Sequence, residues 1–91
     1  MVSVQEKKIA KKTIILYVLN VIRGYSTKEY PVSQTAICHF LNDLGIPCDR
    51  KTVGRNIQYL QEFGYPIRKI EGKGYYLDLQ ALEQNKKRWV L

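Results

Sequence analysis

The hydrophobic positions of this chain repeat first with the spacing of α-helices and later with the alternation of β-strands. The first block predicts a helix from Ile9 to Ile22, and Arg23 and Gly24 after it are expected to stop the helix. The second predicts a helix that Ser33 caps and that runs to about Leu44. Pro31, in the connector between these helices, favours extended geometry at Tyr30, which predicts a very short edge strand over residues 30–32. The apolar faces of these two helices are predicted to contain Ile15, Leu16, Val18, Leu19, Ile22, Ile37, Phe40, Leu41 and Leu44.

The third helical block, Asp49 to Glu62, combines an apolar face with a basic one. Val53, Ile57 and Leu60 recur at helical spacing and form the apolar stripe. Asp49 is the expected N-cap, because its carboxylate can accept hydrogen bonds from the free amides of the first turn. A short turn that starts at Gly45 joins this block to the previous helix. Two helices joined so tightly, with the second one basic, match a helix-turn-helix in outline.

After Gly64 the pattern becomes that of a β-hairpin. Two runs rich in β-branched and aromatic residues, 66–71 and 75–79, flank a glycine-containing turn with Lys73 at its tip. From Gln80 the helical pattern returns. The order of elements predicts an α+β fold of the winged helix-turn-helix class, with a three-helix core, a β-hairpin wing and an extra C-terminal helix.

Length and charge narrow the range of partners. A chain of 91 residues allows one domain with a single core, in which residues 1–8 are a loose N-terminal arm and residues 80–91 a C-terminal helix or tail. Lys and Arg number 15 against 8 Asp and Glu, so the net charge is +7. The excess lies at the two ends and in residues 50–73. This clustering favours a polyanionic partner, and nucleic acid over a membrane surface.

Several function classes are disfavoured by the same sequence. The chain has two cysteines, Cys38 and Cys48, whereas a small secreted scaffold usually carries more, and nothing at the N-terminus resembles a signal peptide. We therefore expect both thiols to be reduced, in a cytoplasmic protein. The most apolar stretch, residues 13–22, is too short to cross a bilayer. His39 with the two cysteines is a poor match to structural zinc, which takes four ligands, usually in close pairs. Cys38 and His39 are adjacent on a helix and point in different directions, which disfavours a Cys–His nucleophile. We therefore expect no metal, no cofactor and no enzymatic activity.

A family resemblance rests on motifs that occur in order along the chain. They are Arg50-Lys51-Thr52-Val53-x-Arg55-x-Ile57, then Leu60, Gly64-x-Pro66-Ile67 and Gly74-Tyr75-Tyr76-Leu77. With these motifs, residues 13–77 resemble the N-terminal winged helix-turn-helix domain of bacterial WYL-type transcriptional regulators, relatives of the DeoR-type and biotin-repressor DNA-binding domains. The resemblance implies that Arg50, Lys51, Thr52 and Arg55 face DNA bases and phosphates and that Lys73 reaches an adjacent groove.

The chain departs from that family pattern in three ways. Gly54 stands where the family commonly has an aromatic residue, and Asn56 stands where it has an aspartate. A glycine inside a helix costs about 1 kcal/mol against alanine, and at position 54 we expect it to remove a DNA-contacting side chain from the middle of the exposed face. Family members usually continue into a ligand-sensing domain, whereas this sequence stops at Leu91. It is either a freestanding DNA-binding protein, as phages and mobile elements often encode, or a fragment.

Predicted DNA contacts follow from side-chain chemistry. Arginine can pair bidentately with guanine, so Arg50 and Arg55 are the better base readers, while Lys51 and Lys73 neutralise phosphate. The free amides that begin the second helix can also meet a phosphate. The predicted DNA-contacting residues are Arg50, Lys51, Thr52, Arg55, Gln58, Lys73, Arg68, Lys69, Ser33, Gln34 and Thr35. The alternative for the same residues is a solvated surface without a ligand.

Two functional hypotheses follow. The first is a sequence-specific regulator that binds double-stranded DNA, with residues 50–62 in the major groove and residues 67–77 on an adjacent groove or the backbone. It is expected to form a homodimer through its first and C-terminal helices. The alternative is a small phage- or plasmid-type inhibitor that uses the same fold to bind a nucleic-acid-handling host protein. Gly54 and the apolar Trp89-Val90-Leu91 end motivate this alternative.

Overall fold

The computed structural model describes residues 13–89, with the side chains of residues 13–84. Within this part, the chain is α+β: three helices precede a two-stranded antiparallel hairpin and a further helix, in the predicted order. The elements are α1 (Ile14–Tyr25), α2 (Gln34–Asp43), α3 (Arg50–Phe63), β1 (Ile67–Ile70), β2 (Gly74–Leu77) and α4 (Leu79–Trp89). None of the helices in this range is both long and apolar enough to cross a membrane. The predicted arm, residues 1–8, and the terminal Val90 and Leu91 lie outside the described residues.

One hydrophobic core holds α1, α2, α3 and the hairpin together. Helix α3 contributes the predicted stripe, Val53, Ile57 and Leu60, which is buried as expected. The hairpin closes the core with Ile67 and Leu77, which pair directly across the two strands. Apolar burial of this kind is the main favourable contribution to folding. The remaining buried members are Ile14, Val18, Leu19, Val21, Ile22, Val32, Ile37, Cys38, Leu41 and Ile46.

Helix α1 extends further toward the C-terminus than predicted. It runs to Tyr25, so Gly24 lies inside its last turn and does not end it. The Ser26 hydroxyl donates a hydrogen bond to the Ile22 carbonyl, which satisfies one of the otherwise free carbonyls at this end. Leu16, predicted to widen the apolar face, is 57% exposed, because α1 buries only the side centred on Val18 and Ile22. The predicted start at residues 9–12 lies outside the described residues.

Helix α2 begins as predicted but buries a narrower face. The Ser33 hydroxyl accepts a hydrogen bond from the Ala36 amide, and Gly45 ends the turn with a φ of +84°, a conformation that favours glycine. The prediction that Phe40 and Leu44 belong to the core is wrong, since they are 36% and 63% exposed. Phe40 stacks instead on the Tyr25 ring, with centroids 4.9 Å apart.

The hairpin is anchored to the rest of the fold through its second strand. Val32 pairs with Tyr75 in an isolated antiparallel bridge, so the predicted edge strand over residues 30–32 is reduced to one residue. The second strand ends at Leu77, two residues earlier than predicted. Leu79 therefore belongs to α4, because the Asp78 carboxylate accepts a hydrogen bond from the Ala81 amide and caps that helix. Leu82 packs α4 against the core, whereas the Trp89 side chain lies outside the described side chains.

Candidate nucleic-acid interface

Helix α3 presents an exposed row on the side opposite its buried stripe. Lys51, Arg55 and Gln58 lie at i, i+4 and i+7, and all three are exposed. Glu62 continues the same row at its C-terminal end. Positive charge is therefore concentrated in the first two turns of α3, which is where its free amides also favour anions.

The start of α3 is fixed by the predicted cap. The Asp49 carboxylate accepts a hydrogen bond from the Thr52 amide at 2.8 Å. That bond lowers the pKa of Asp49, and the nearby Arg55 guanidinium lowers it further. Thr52 itself is half-buried, and its carbonyl accepts a hydrogen bond from the Asn56 side chain. Only part of the Thr52 side chain is thus open to a ligand.

The cations of α3 form no salt bridge within the described part of the chain. Arg50, Lys51 and Arg55 are exposed, and the one salt bridge among the described residues joins Arg68 to Asp78 at 3.3 Å. A basic cluster of this kind attracts a polyanion and makes its binding depend on salt. The exposed face of α3 is therefore the strongest candidate surface for nucleic acid.

The hairpin carries three further basic residues, which differ in their availability. Lys73 in the turn and Lys69 on β1 are exposed. Arg68 forms a salt bridge with Asp78. The pKa of Asp78 is lowered mainly by the hydrogen bond from the Ala81 amide and to a smaller extent by Arg68. Lys69 and Lys73 are therefore the more available cations of the hairpin.

The predicted contacts at the start of α2 have roles inside the chain. Ser33 caps the helix. Gln34 donates from Nε2 to the Arg50 carbonyl at 3.0 Å and accepts at Oε1 from the Tyr75 hydroxyl at 3.3 Å. Thr35 is exposed. Of the three predicted residues at this end, Thr35 alone is exposed.

Gly54 occupies a different position from the one that the sequence suggested. It is half-buried on the flank of α3, next to Gln34, and does not lie in the middle of the exposed face. A Cβ at this position would lie 2.5 Å from Nε2 of Gln34. The expectation that Gly54 lies in the middle of the exposed face is therefore wrong, and its missing side chain makes room for Gln34.

Sequence reasoning missed one exposed residue beside the basic row. Tyr59 is 49% exposed and lies one turn after Arg55 on α3. Its phenol can donate or accept a hydrogen bond, and its ring can pack against a sugar or a base. Its position four residues after Arg55 was the signal that could have identified it.

The cysteine pair forms part of the turn between α2 and α3. Both thiols are free, and Cys38 Sγ donates to the Cys48 carbonyl at 3.4 Å. Burial, followed by the neighbouring Cys38, raises the pKa of Cys48 to about 11. His39 is exposed, and no group of three or more potential metal ligands occurs among the described residues.

The chemistry available on this surface is anion binding. Guanidinium groups can pair with guanine edges or phosphates, ammonium groups neutralise phosphates, and Gln58 can bond to base edges. No family model, no curated protein sequence and no solved structure matches this chain.

Proposed function

We propose that the chain is a winged helix-turn-helix protein of the WYL-regulator type that binds double-stranded DNA sequence-specifically and regulates transcription. The observation that carries this proposal is the exposed row of Lys51, Arg55 and Gln58 on a capped helix whose opposite stripe is buried. An α-helix fits the B-DNA major groove, where base pairs present distinct donor and acceptor patterns. Helix α3 would enter that groove with its basic N-terminal half first.

The residues would divide between base reading and phosphate binding. Arg50 and Arg55 have the planar donor pairs that match a guanine edge, and Gln58 can pair with adenine. Lys51 would neutralise a phosphate, and the half-buried Thr52 would contribute little. Tyr59 joins this set as a contact to the backbone or to a base.

The hairpin would act as the wing. Lys73 at its turn and Lys69 on β1 are exposed, and they would bind phosphates of an adjacent groove or the backbone between grooves. Arg68 would join only by sharing its guanidinium with Asp78. Contacts of this kind position the protein without reading sequence.

The test is a double substitution on the exposed row. Lys51→Ala with Arg55→Ala should lower affinity for a selected duplex about a hundredfold or more, because each residue supplies a charged contact worth about 1–3 kcal/mol. The free energy of unfolding should change by less than about 0.5 kcal/mol, since both side chains are exposed. The duplex is obtained by selection from a random pool, and affinity is measured by gel shift.

The matched control removes two exposed cations from another part of the chain. Arg23 lies in the last turn of α1 and Lys28 lies in the following connector, so Arg23→Ala with Lys28→Ala makes the same change in net charge. This control should bind nearly as well as the parent. If both double variants bind as the parent does, the assignment of α3 as the DNA-reading helix is wrong.

The same selection tests the proposed dimer. A homodimer through the first and C-terminal helices would bind two half-sites related by two-fold symmetry, so the enriched sequences should contain an inverted repeat. Enrichment of a single unrepeated half-site would contradict a dimer while leaving DNA binding intact.

A second candidate function is supported by an exposed apolar patch. Tyr25 and Phe40 stack on one another at the surface, and Leu44 follows Phe40 by one helical turn and is 63% exposed. Exposed apolar patches often mark protein interfaces. This patch favours the alternative of a phage- or plasmid-type inhibitor that binds a nucleic-acid-handling host protein.

Capture from a nuclease-treated bacterial lysate separates the two candidates. An inhibitor would retain a partner in the absence of nucleic acid, and Phe40→Ser with Leu44→Ser should release it while Lys51→Ala with Arg55→Ala should not. A chain that retains no partner after nuclease treatment, but binds a selected duplex, is a DNA-binding protein and not such an inhibitor.

A further inference from the structure

Gln34 is the point at which three elements of the fold meet. It is the first residue of α2, and its Nε2 donates to the carbonyl of Arg50 in the first turn of α3 at 3.0 Å. Its Oε1 accepts from the hydroxyl of Tyr75 on β2 at 3.3 Å. One side chain thus joins the start of the candidate reading helix to the hairpin.

The sequence of α3 leaves space for this side chain. Arg50 and Gly54 are one turn apart and lie on the same flank of the helix. A Cβ at position 54 would lie 2.5 Å from Nε2 and 3.3 Å from Cδ of Gln34. Any larger residue at 54 would therefore push the Gln34 amide away from the Arg50 carbonyl.

We propose that Gln34 is a positioning residue, which holds the first turn of α3 and the hairpin in one orientation so that their cations meet DNA together. This inference rests on the proposed function and makes it more specific. Gly54 is the residue that permits this arrangement. Preorganisation raises affinity because less freedom is lost when the complex forms.

A positioning role differs measurably from a direct phosphate contact. Losing a phosphate contact weakens binding to every duplex and reduces the salt dependence of affinity. Losing the orientation of α3 and the hairpin should mainly weaken binding to the selected duplex, because base contacts need accurate geometry. The ratio of selected to random duplex affinity is therefore the informative quantity.

The experiment compares three variants that disturb Gln34 in different ways. Gly54→Ala should displace its side chain, Gln34→Leu removes both hydrogen bonds, and Tyr75→Phe removes one of them. Affinity for the selected duplex should fall about fivefold or more for Gly54→Ala and Gln34→Leu, as expected for losing one or two ordinary hydrogen bonds, and less for Tyr75→Phe. Affinity for random duplex should stay within about twofold of the parent.

A spectroscopic measurement on the free protein gives an independent readout. In ¹⁵N-labelled protein, the side-chain amide resonances of Gln34 should move toward those of a solvated glutamine in Gly54→Ala. Gln80→Leu replaces an exposed glutamine on α4 and should leave both the Gln34 resonances and the affinities unchanged. Tyr75→Phe should shift the Gln34 resonances as well, so the role remains testable if Gln34→Leu fails to fold.

Three results would overturn the inference. Unchanged Gln34 resonances in Gly54→Ala would contradict the geometry. Shifted resonances with an unchanged ratio of selected to random affinity would contradict the positioning role, while leaving Lys51 and Arg55 as DNA contacts. A parent protein that binds no duplex would overturn the proposed function, and this inference with it.

Discussion

At the scale of single residues, Gly74 meets two constraints at once. Its φ is +144°, a conformation that side chains rarely adopt, and a Cβ would overlap the carbonyl of Val32 and the amide of Ser33. The overlap is with backbone atoms, which cannot rotate away as a side chain can. The same site carries the paired hydrogen bonds between Val32 and Tyr75. Attachment of the hairpin to the start of α2 thus depends on the absence of a side chain at 74.

Gly74→Ala should therefore destabilise the fold by about 3 kcal/mol or more, measured by urea unfolding. Gly72→Ala is the matched control, because Gly72 also has a positive φ, +78°, but a Cβ there would meet nothing within 4 Å. The control should cost only about 1 kcal/mol, from backbone strain alone. Equal losses in the two variants would show that strain, and not the close approach to Val32, explains the role of Gly74.

Two capping carboxylates should make stability depend on acid. The pKa values of Asp49 and Asp78 are lowered from 3.8 by hydrogen bonds from the Thr52 and Ala81 amides. A carboxylate with a lowered folded pKa contributes stability above its unfolded pKa and loses it as the pH falls through the folded value. The urea midpoint should therefore decline as the pH falls from about 5 to about 2.

Asparagine at both positions isolates this contribution, because an asparagine caps a helix without titrating in this range. Asp49→Asn with Asp78→Asn should show a smaller decline between the same two pH values. A decline as large as that of the parent would assign the acid sensitivity to other carboxylates.

At the scale of elements, features set by residues close in sequence were predicted correctly, whereas features set by contacts between elements were not. The α3 stripe, its Asp49 cap, the Ser33 cap and the hairpin with its turn were all predicted, because each depends on residues close in sequence. The prediction that Phe40 and Leu44 are buried was wrong, because helical spacing indicates which residues share a face but not how wide a face the neighbouring elements cover. The predicted position of Gly54 was wrong for a related reason: its neighbour Gln34 belongs to α2, and the sequence around Gly54 does not indicate that contact.

At the scale of the whole molecule, the proposed DNA-binding cations and the apolar patch of Tyr25, Phe40 and Leu44 belong to different elements. The exposed cations of α3 and the hairpin that form no salt bridge among the described residues are Arg50, Lys51, Arg55, Lys69 and Lys73. The exposed apolar residues Tyr25, Phe40 and Leu44 belong to α1, α2 and the turn after α2. The proposed DNA contacts and a protein contact would thus use different elements, and separate variants can test them.

Salt dependence should count the cations that bind phosphate. If Lys51, Lys69 and Lys73 neutralise one phosphate each, the logarithm of affinity should fall with the logarithm of salt concentration with a slope of about −2.7, at roughly 0.9 per contact. Lys73→Ala should reduce the magnitude of the slope by about 0.9. Lys28→Ala, on the connector after α1, should leave it unchanged. An unchanged slope in Lys73→Ala would remove the wing from the interface.

The attachment of the hairpin to the start of α2 also constrains the order of folding. Tyr75 and Gln34 are 41 residues apart in sequence, so their contact closes a long loop, whereas α3 forms from neighbouring residues. We therefore expect α3 to form before Tyr75 docks against the start of α2. During synthesis, the helical unit emerges before the strand that completes it, and an isolated peptide of residues 66–77 lacks the partners that hold the hairpin in place.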